Sequence, residues 1–326
     1  TMTNDPSILR TIEQSKALLK PNQKCIINTD IDGILCGILL QNILNWKVVG
    51  FCDSKESIWM NPHLEKEFNE IVFVDIYLAK PSFKCIDQHI VAKDLEHVKL
   101  LSENINKQNP NHERYRYASS NSADKMSYKW KYPFGTIHYL IACLESIGYE
   151  IDIKNSKFFS VSSYDLLLRA DNAAISTVKD YKENALEWWE WLKELGGKQI
   201  EVLAAYCVEL EESHAQKSYD ELAVIFKNTF HCNSKDGNFS NNLNVEGLST
   251  DSITDYIAKF AESLGLSTLQ LERRMNLYKG NYLTESTNDK KAIDNILNDK
   301  ELSTYAYVYK DKLSYTLGPF KKANNQ

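Results

Sequence analysis

A set of acidic residues is spaced along the first half of the chain, and each member follows or closes an apolar segment. The set is Asp30, Asp32, Asp75, Asp87 and Asp171, with His89 two positions after the fourth. Like charges brought together repel one another and raise one another's pKa. A divalent cation relieves that repulsion, and carboxylate oxygens with some imidazole suit Mg²⁺ or Mn²⁺. Two such ions, about 4 Å apart, would bind a phosphoryl group and activate water.

The apolar segments predict an α/β fold with a doubly wound parallel sheet. Continuous apolar runs at 24–29, 47–52, 70–75 and 84–87 are typical of buried strands, and residues 33–46 between the first two predict a helix. Strands that alternate with helices favour an open α/β sheet. In such sheets ligands bind beyond the carboxyl ends of the strands, which is where the acidic residues fall.

The rest of the chain predicts a second, smaller α+β domain. Further helices are predicted at 5–20, 133–149, 198–230 and 252–280, polar loops at 103–130 and 232–244, and a hairpin of strands 303–309 and 312–317. Gly196-Gly197 forms a natural boundary after a tryptophan-rich segment. We therefore expect an α/β domain over residues 1–195 and a C-terminal substrate or cap domain over residues 196–326.

Each acidic feature also has an ordinary explanation when it is taken alone. A D-x-D-G stretch such as Asp30 to Gly33 is often only a turn, a single aspartate at a strand end is usually solvated, and His89 alone would more often be structural. The combination of three strand-end acids in order, a nearby histidine and a later acid favours a shared site.

The ordered set resembles the DHH phosphoesterase superfamily, in its RecJ and oligoribonuclease branch. The first motif of that branch, D-x-D-x-D-G, corresponds to residues 28–33 (NTDIDG), and the second, a strand-end aspartate, to Asp75. The third motif, D-H-H, reads DQH at 87–89, and the fourth corresponds to Ala170-Asp171. Residues 109–111 (NPN) and 132–136 (YPFGT) are similar to two further segments, so that the resemblance covers residues 20–175.

The resemblance implies a phosphohydrolase that uses one or two Mn²⁺ or Mg²⁺ ions. Asp75 would bridge both ions. Asp30 would bind one of them, and Asp32 with Asp171 the other. His89 would face the phosphate, and water between the ions would attack phosphorus in line.

Three departures from the family pattern matter, and the first two weaken this metal site. Asn28 stands where the family has its first ligand, and Gln88 replaces the first histidine of D-H-H. Amide oxygens bring no charge to a cation, and even losses around the ligands lower metal affinity by about 10–100-fold. The glycine-rich G-G-G-H segment, which grips substrate phosphate in many relatives, has no counterpart after residue 200.

The candidate substrate-binding residues are His89, Asn109, Lys131, Thr136 and Arg169. The loop that contains Lys131 interleaves cations with aromatic residues, an arrangement that suits stacked bases and a single-strand backbone. The alternative is a solvated loop whose aromatic residues pin it to the core. Arg169 could likewise contact phosphate or pair with an acid.

Three functions are therefore open. The first is a metal-dependent phosphodiesterase that acts on single-stranded or short oligonucleotides or on a signalling nucleotide. The second is a degenerate relative that serves as a nucleic-acid or protein binding subunit without catalysis, with a protein partner or a second copy of itself. The third is a haloacid-dehalogenase-like phosphatase with Asp30 as nucleophile and Asp32 as acid, although Ile34 departs from that pattern and no later acidic pair is evident.

Composition limits the partners and the cellular compartment that the sequence predicts. The net charge of −6 argues against a broad basic surface for duplex DNA. The seven cysteines contain no C-x-x-C pair and mostly sit in apolar runs, as expected for buried thiols in a reducing compartment. No apolar stretch approaches the roughly 18 residues that span a membrane, so a cytoplasmic protein without membrane segments is predicted.

Overall fold

A nine-stranded sheet organises the chain in the computed structural model, which describes residues 3–243 and 250–323. Its strand order is β10-β11-β9-β3-β2-β1-β4-β5-β6, and β7 and β8 form a separate pair. In the described residues the strands are β1 (Lys24–Asn28), β2 (Lys47–Cys52), β3 (Ser57–Met60), β4 (Val72–Val74), β5 (Lys84–Ile86), β6 (Lys107–Gln108), β7 (Lys157–Phe158), β8 (Val161–Ser162), β9 (Asn276–Ser286), β10 (Leu302–Tyr309) and β11 (Lys312–Lys322).

Helices account for most of the remaining described chain. They are α1 (Pro6–Leu18), α2 (Ile31–Leu44), α3 (Leu95–Glu103), α4 (Pro110–Glu113), α5 (Thr136–Ser146), α6 (Ser163–Arg169), α7 (Ala173–Ile175), α8 (Lys182–Leu195), α9 (Lys198–Val208), α10 (Glu212–Val224), α11 (Asp251–Leu264) and α12 (Lys290–Leu297). Short 3₁₀ or π turns lie at Pro62–Glu70, Tyr128–Trp130, Ala170–Asn172, Ser176–Asp180, Ile225–Thr229 and Ser240–Leu243.

The sheet is mixed rather than parallel throughout. Strands β2, β1, β4, β5 and β6 run parallel to one another, whereas β3, β9, β11 and β10 continue the sheet by antiparallel pairing. The α/β class and the four predicted buried strands are confirmed as β1, β2, β4 and β5. The prediction of a parallel sheet holds only for the half that carries the acidic residues.

Both faces of the parallel strands are buried, which explains their continuous apolar sequences. Along β1 the side chains of Cys25 and Ile27 pack into one hydrophobic cluster with helices α1, α2, α5 and α8. Ile26 points the opposite way, into a second cluster that includes Ile293 of α12 and Tyr305 of β10. Successive side chains of a strand face opposite sides of a sheet, so the sheet lies between two layers.

The C-terminal third departs from the predicted elements. The segment 252–280 was expected to be helical throughout, but α11 ends at Leu264 and β9 begins at Asn276. The stop is Gly265, whose φ of 70° is the left-handed conformation that closes helices. The predicted hairpin is confirmed as β10 and β11. The domain division after residue 195 stays a prediction, while β9 to β11 join the same sheet as β1. Some residues covered by these predictions lie outside the described part of the chain. They are residues 1–2 of the first predicted domain, and residues 244–249 and 324–326 of the second.

The predicted polar loop 103–130 contains short regular elements. Helix α4 and strand β6 lie within it, together with the turn Tyr128–Trp130. The helix predicted at 133–149 is shorter, as α5, and the one predicted at 198–230 is divided into α9 and α10.

The edge strand β10 is anchored to the segments that follow β4 and β5. The Ala79 amide donates a hydrogen bond to the Ser303 carbonyl (2.8 Å), and the Tyr307 amide donates one to the Ile90 carbonyl (2.9 Å). The sheet therefore curls until its last strand lies beside the chain that carries His89. This contact places the β10–β11 turn near the candidate site.

The cysteines are buried, as their apolar sequence surroundings predict. All seven are free and buried in the structure, as expected for small apolar thiols. Among the described residues, no helix combines the length and the apolar character needed to cross a membrane.

Gly33 explains why a glycine follows the two aspartates. A Cβ atom at this position would lie 2.0 Å from the Asn28 carbonyl oxygen and 2.8 Å from the Asn28 nitrogen. Helix α2 therefore turns directly against the end of β1, at a distance that only glycine permits. This close approach fixes the first turn of α2 and, with it, the directions of Asp30 and Asp32.

We predict that Gly33→Ala destabilises the protein by about 3 kcal/mol or more, because the clash is with backbone atoms that cannot move aside. Gly37→Ala in the same helix is the matched control. Its Cβ would meet only side-chain methyl groups at 3.0 Å and beyond, and alanine gains about 1 kcal/mol of helix propensity. Urea unfolding of both variants measures the difference, and equal stabilities would contradict this account of Gly33.

Candidate metal centre

Two groups of potential ligands converge at the carboxyl ends of the parallel strands. Asp32, Asp75 and Asp171 each offer an oxygen, and these atoms lie within 4.8 Å of one another. Asp75, Asp87 and His89 form a second group under the same limit. Asp75 belongs to both groups, so the structure brings together four of the predicted acids and the predicted histidine around one residue.

Asp32 is held by the N-terminus of helix α5. The Thr136 amide donates to Asp32 Oδ2 (2.8 Å), and the Ile137 amide donates to Asp32 Oδ1 (2.9 Å). The helix N-terminus carries a partial positive charge that favours an anion. Gly135 permits the approach, since a Cβ there would lie 3.0 Å from both carboxylate oxygens. Asp32 is therefore fixed in place by backbone amides at both of its oxygens.

Asp75 adopts a backbone conformation that aspartate seldom takes. It directly follows β4 with φ of 63°, and its amide donates to the Ile86 carbonyl (2.8 Å). The Thr136 hydroxyl donates to Asp75 Oδ1 (2.7 Å). Thr136 thus holds two of the clustered acids, one through its amide and one through its side chain. Left-handed residues other than glycine are frequent at functional sites.

Asp171 enters the cluster from the far end of helix α6. Asp171 and Asn172 have φ of 47° and 60°, so that the chain makes a sharp left-handed turn there. Asp171 is exposed at the rim, and Gln88 Nε2 donates to its Oδ2 (2.6 Å). The turn explains how an acid far along the sequence reaches the strand ends.

Asp30 caps helix α2 and lies beside the two groups rather than in them. Its Oδ1 accepts a hydrogen bond from the Gly33 amide (2.9 Å). Burial, followed by the charges of Asp171 and Asp236, raises the pKa of Asp30 to about 7. Among the described residues it does not join either set of ligand atoms, so its predicted role as a ligand stays a prediction.

Asp87 and His89 form a close pair. Asp87 Oδ1 and His89 Nδ1 are 2.7 Å apart. Burial opposes the charged forms of both groups, but their mutual attraction wins: it holds the pKa of Asp87 below its usual value and raises the pKa of His89 to about 9. His89 is therefore protonated at neutral pH, and about a third of its side chain is exposed (38%).

The two amides at the predicted ligand positions donate hydrogen bonds within the site. Asn28 Nδ2 donates to the Asp75 carbonyl (2.9 Å) and to Ser54 Oγ (3.1 Å), while its Oδ1 accepts from the Thr29 amide (2.7 Å). Gln88 donates to Asp171 as described above. As arranged here, Asn28 and Gln88 hold the backbone and one carboxylate in position, and their predicted role as ligands stays a prediction.

The NPN segment positions the strand end that carries His89. Asn109 Nδ2 donates to the His89 carbonyl (2.9 Å), and Asn111 Nδ2 donates to the Gln88 carbonyl (2.7 Å). Asn109 is fully buried in this contact. The predicted substrate residue Asn109 therefore touches the backbone behind the site.

The two predicted cationic residues lie in different places. Lys131 lines a cleft beside Asp171 and His89. Arg169 does not line that cleft, and its guanidinium stacks over the Tyr219 ring at 4.2 Å. Of the two, only Lys131 stands where a substrate bound at the acids would pass.

Sequence reasoning missed Asp236. The loop that carries it crosses the D-x-D-G segment: the Ile31 amide donates to the Asp236 carbonyl (3.1 Å), and the Phe239 amide donates to the Thr29 carbonyl (2.9 Å). The charge of Asp236 contributes to the raised pKa of Asp30. A polar loop two hundred residues downstream carries no local signal of this contact.

When ionised, the clustered carboxyl groups carry negative charge that no direct lysine or arginine partner offsets in the described part of the chain. Among the described residues, Asp30, Asp32, Asp75 and Asp171 make no ion pair with lysine or arginine within 4.0 Å. Burial raises the pKa of Asp32 and Asp75 well above the usual range, and neighbouring carboxylates raise it further. An oxygen-rich site with excess negative charge fits a hard divalent cation such as Mg²⁺ or Mn²⁺.

Comparisons of this chain with protein-family models, with curated proteins and with solved structures gave no match. The site therefore has to be interpreted from its own geometry.

We predict that the metal-free protein loses stability as the pH rises from about 4 to about 7. A carboxyl whose folded pKa is raised binds its proton more tightly when folded, so its stabilisation is complete below the unfolded pKa of about 3.9 and is lost as the pH approaches the folded value. Asp30, with a folded pKa of about 7, contributes to this loss up to about that pH.

The test is the melting temperature in a chelator between pH 4.5 and 8. Asp30→Asn should melt higher than the wild type at pH 8 and should differ less at pH 5, because asparagine keeps the helix cap without the charge. Asp94→Asn, at the cap of α3, is the matched control and should show no such pH dependence. A wild-type-like profile for Asp30→Asn would show that the acids do not repel one another.

Proposed function

We propose that this chain is a metal-dependent phosphodiesterase of the DHH type that hydrolyses short or single-stranded nucleic acid or a nucleotide. The observation that carries the proposal is the position of Asp75 in two groups of convergent ligand atoms. A carboxylate shared between the two groups would be within reach of one cation or of two, which is compatible with metal-assisted phosphoryl chemistry. The order of the acids along the chain supports the same assignment.

The principal cation would be held by Asp32, Asp75 and Asp171. Two of these acids are already oriented by Thr136 and by the N-terminus of α5. A bound divalent ion would polarise a phosphoryl oxygen and lower the pKa of water. The chain's own contribution is to hold the oxygens in place, so that little reorganisation accompanies binding.

The second group is a weaker cation position because His89 is already paired with Asp87. A metal ligand must be a neutral imidazole, whereas the raised pKa keeps His89 protonated at neutral pH. We assign His89 to the phosphate, where an imidazolium fixed by Asp87 can donate to a phosphoryl oxygen. Its partial exposure leaves the ring accessible from the neighbouring cleft.

A second candidate function is nucleotide or nucleic-acid binding without catalysis. The contacts of Asn28 and Gln88 favour it, because both amides donate N–H groups towards the site and Gln88 occupies Asp171 Oδ2. A carboxylate that accepts a short hydrogen bond has fewer lone pairs free for a cation. Metal affinity and hydrolysis, measured separately, distinguish the two functions.

We predict that Asp75→Asn abolishes both metal binding and hydrolysis. Asparagine tolerates the left-handed conformation of Asp75, so the variant should still fold. The measurements are the rise in melting temperature with Mn²⁺ and the hydrolysis of short RNA, short DNA and linear and cyclic dinucleotides. Hydrolysis should fall at least about 100-fold, the effect of losing about 2.7 kcal/mol of transition-state stabilisation.

Asp180→Asn is the matched control, since Asp180 lines the same cleft outside both ligand groups. It should retain the metal response and most of the activity. If the wild type shows a metal response but hydrolyses none of these substrates, the binding function replaces the catalytic one. If it shows neither, both the metal site and the phosphodiesterase are wrong.

We also predict that Gln88→His raises Mn²⁺ affinity by about 10-fold or more, because imidazole is a better ligand than an amide and frees Asp171 Oδ2. Calorimetric titration of the metal-free protein measures it. Gln199→His is the control, at a buried glutamine whose side chain bonds to Ile153 and Tyr164 rather than to either ligand group. Unchanged or lower affinity in Gln88→His would show that the position does not face the cation.

A further inference from the structure

A cleft of about 480 Å³ adjoins the acidic cluster. It shares Gln88, His89 and Asp171 with the candidate metal centre, and the rest of its wall comes from residues 119–134, 172–184 and 307–310. Its volume falls within the range of small-ligand sites. It has room for one or two nucleotides but not for a duplex.

Exposed aromatic residues concentrate at this cleft. Among the tyrosine, phenylalanine and tryptophan residues that the structure describes, only Phe159, Tyr181 and Tyr309 are exposed. Tyr181 (50%) and Tyr309 (53%) both line the cleft. Aromatic rings left open at a ligand site are suited to stacking on bases.

Tyr309 is held in position at the hairpin turn. Its ring meets the Tyr128 ring edge-on, with centroids 5.9 Å apart. Two residues earlier, Tyr307 is bonded through its amide to the carbonyl of Ile90, next to His89. The exposed ring of Tyr309 is thus tied to the strand end that carries His89.

The cations of the cleft suit a phosphate group next to the acids. Lys129, Lys131 and Lys310 line it. Lys131 interacts with the cluster: burial lowers its pKa, and the charge of Asp171 partly restores it. A phosphate beside Lys131 and His89 would place the rest of a nucleotide towards the aromatic rings.

Two buried polar atoms in the wall have no hydrogen-bond partner within the protein. They are Ser127 Oγ and Asn184 Oδ1, and both residues are at least 95% buried. Such atoms are uncommon in folded proteins and are costly unless a partner arrives. The amino and hydroxyl groups of a base or a ribose are partners of the required kind.

We propose that this cleft is a nucleotide-binding subsite in which Tyr181 and Tyr309 stack on the base and Lys131 binds the phosphate. The orientation of the phosphate towards the acids rests on the proposed function, whereas the stacking does not. The hairpin turn would thereby supply part of the grip on substrate that the missing glycine-rich segment provides in the resembled family.

The first test compares three probes on the metal-free full chain in a chelator by calorimetric titration. The probes are adenosine 5′-monophosphate, ribose 5-phosphate and inorganic phosphate. The nucleotide should bind about 5- to 100-fold more tightly than the sugar phosphate, which is the contribution of one stacked base. Equal affinities, or no nucleotide binding, would overturn the proposal.

The second test separates the roles of the residues. Tyr181→Ala and Tyr309→Ala should each weaken nucleotide binding by about 5- to 100-fold without changing ribose 5-phosphate binding, and Tyr309→Phe should restore it. Lys131→Ala should weaken all three probes. Phe159→Ala, an exposed aromatic outside the cleft, is the matched control and should bind as the wild type does.

The outcomes also separate this inference from the proposed function. Nucleotide binding that depends on Tyr181 and Tyr309, without any metal-dependent hydrolysis, would support the subsite and contradict the proposed phosphodiesterase activity. Hydrolysis that proceeds with unchanged substrate affinity in both tyrosine variants would do the reverse. Melting curves of each variant confirm that a loss of binding does not reflect unfolding.

Discussion

The contact between the N-terminus of helix α5 and Asp32 is the interaction on which the site depends. Two backbone amides hold both oxygens of this buried carboxylate, and the Thr136 hydroxyl in the same turn holds Asp75. Without these donors, carboxylates so close together would repel one another and have no reason to converge. The helix dipole reduces the cost of gathering them but leaves a net negative charge, because partial charges at a helix end do not balance several full ones.

The same constraint explains the shape of the surrounding chain. At Gly33 and Gly135 there is little room for a Cβ, which would press against the backbone of β1 in the first case and against the Asp32 carboxylate in the second. Asp75 and Asp171 both take left-handed conformations to turn their side chains inwards. Such conformations cost about 1–3 kcal/mol each and persist only where the surroundings enforce them. These two glycines and two strained aspartates surround the same cluster. Their residue types are therefore better explained by the geometry of the site than by the stability of the fold.

The sequence predicts the parallel half of this arrangement because its signals are local. Strands buried on both faces have continuous apolar sequences, and an aspartate that caps a helix directly after such a strand lies at the sheet edge whatever else the chain does. The antiparallel half was less predictable. The predicted helix 252–280 runs into the first residues of strand β9, since no apolar period marks where that strand begins and only the left-handed Gly265 ends α11. Its pairing with β3 joins segments more than two hundred residues apart, and nothing within either segment encodes that distance.

Side-chain direction is the other limit of sequence reasoning, and Asn28 and Gln88 show why. Both stand where the sequence motifs predict metal ligands, so the motifs alone suggest ligands that are weaker than a carboxylate or an imidazole. In the structure each donates an amide N–H, to the Asp75 carbonyl and to Asp171 Oδ2 respectively. A carboxylate at either position could not donate in this way, and such a residue would leave the cluster dependent on a cation for its geometry. The amides therefore make the acids hold their positions without metal, in exchange for weaker attraction to it. Under the proposed function, a site preorganised in this way suits a cation that arrives together with a phosphate, whose oxygens would supply the ligands that the amides do not.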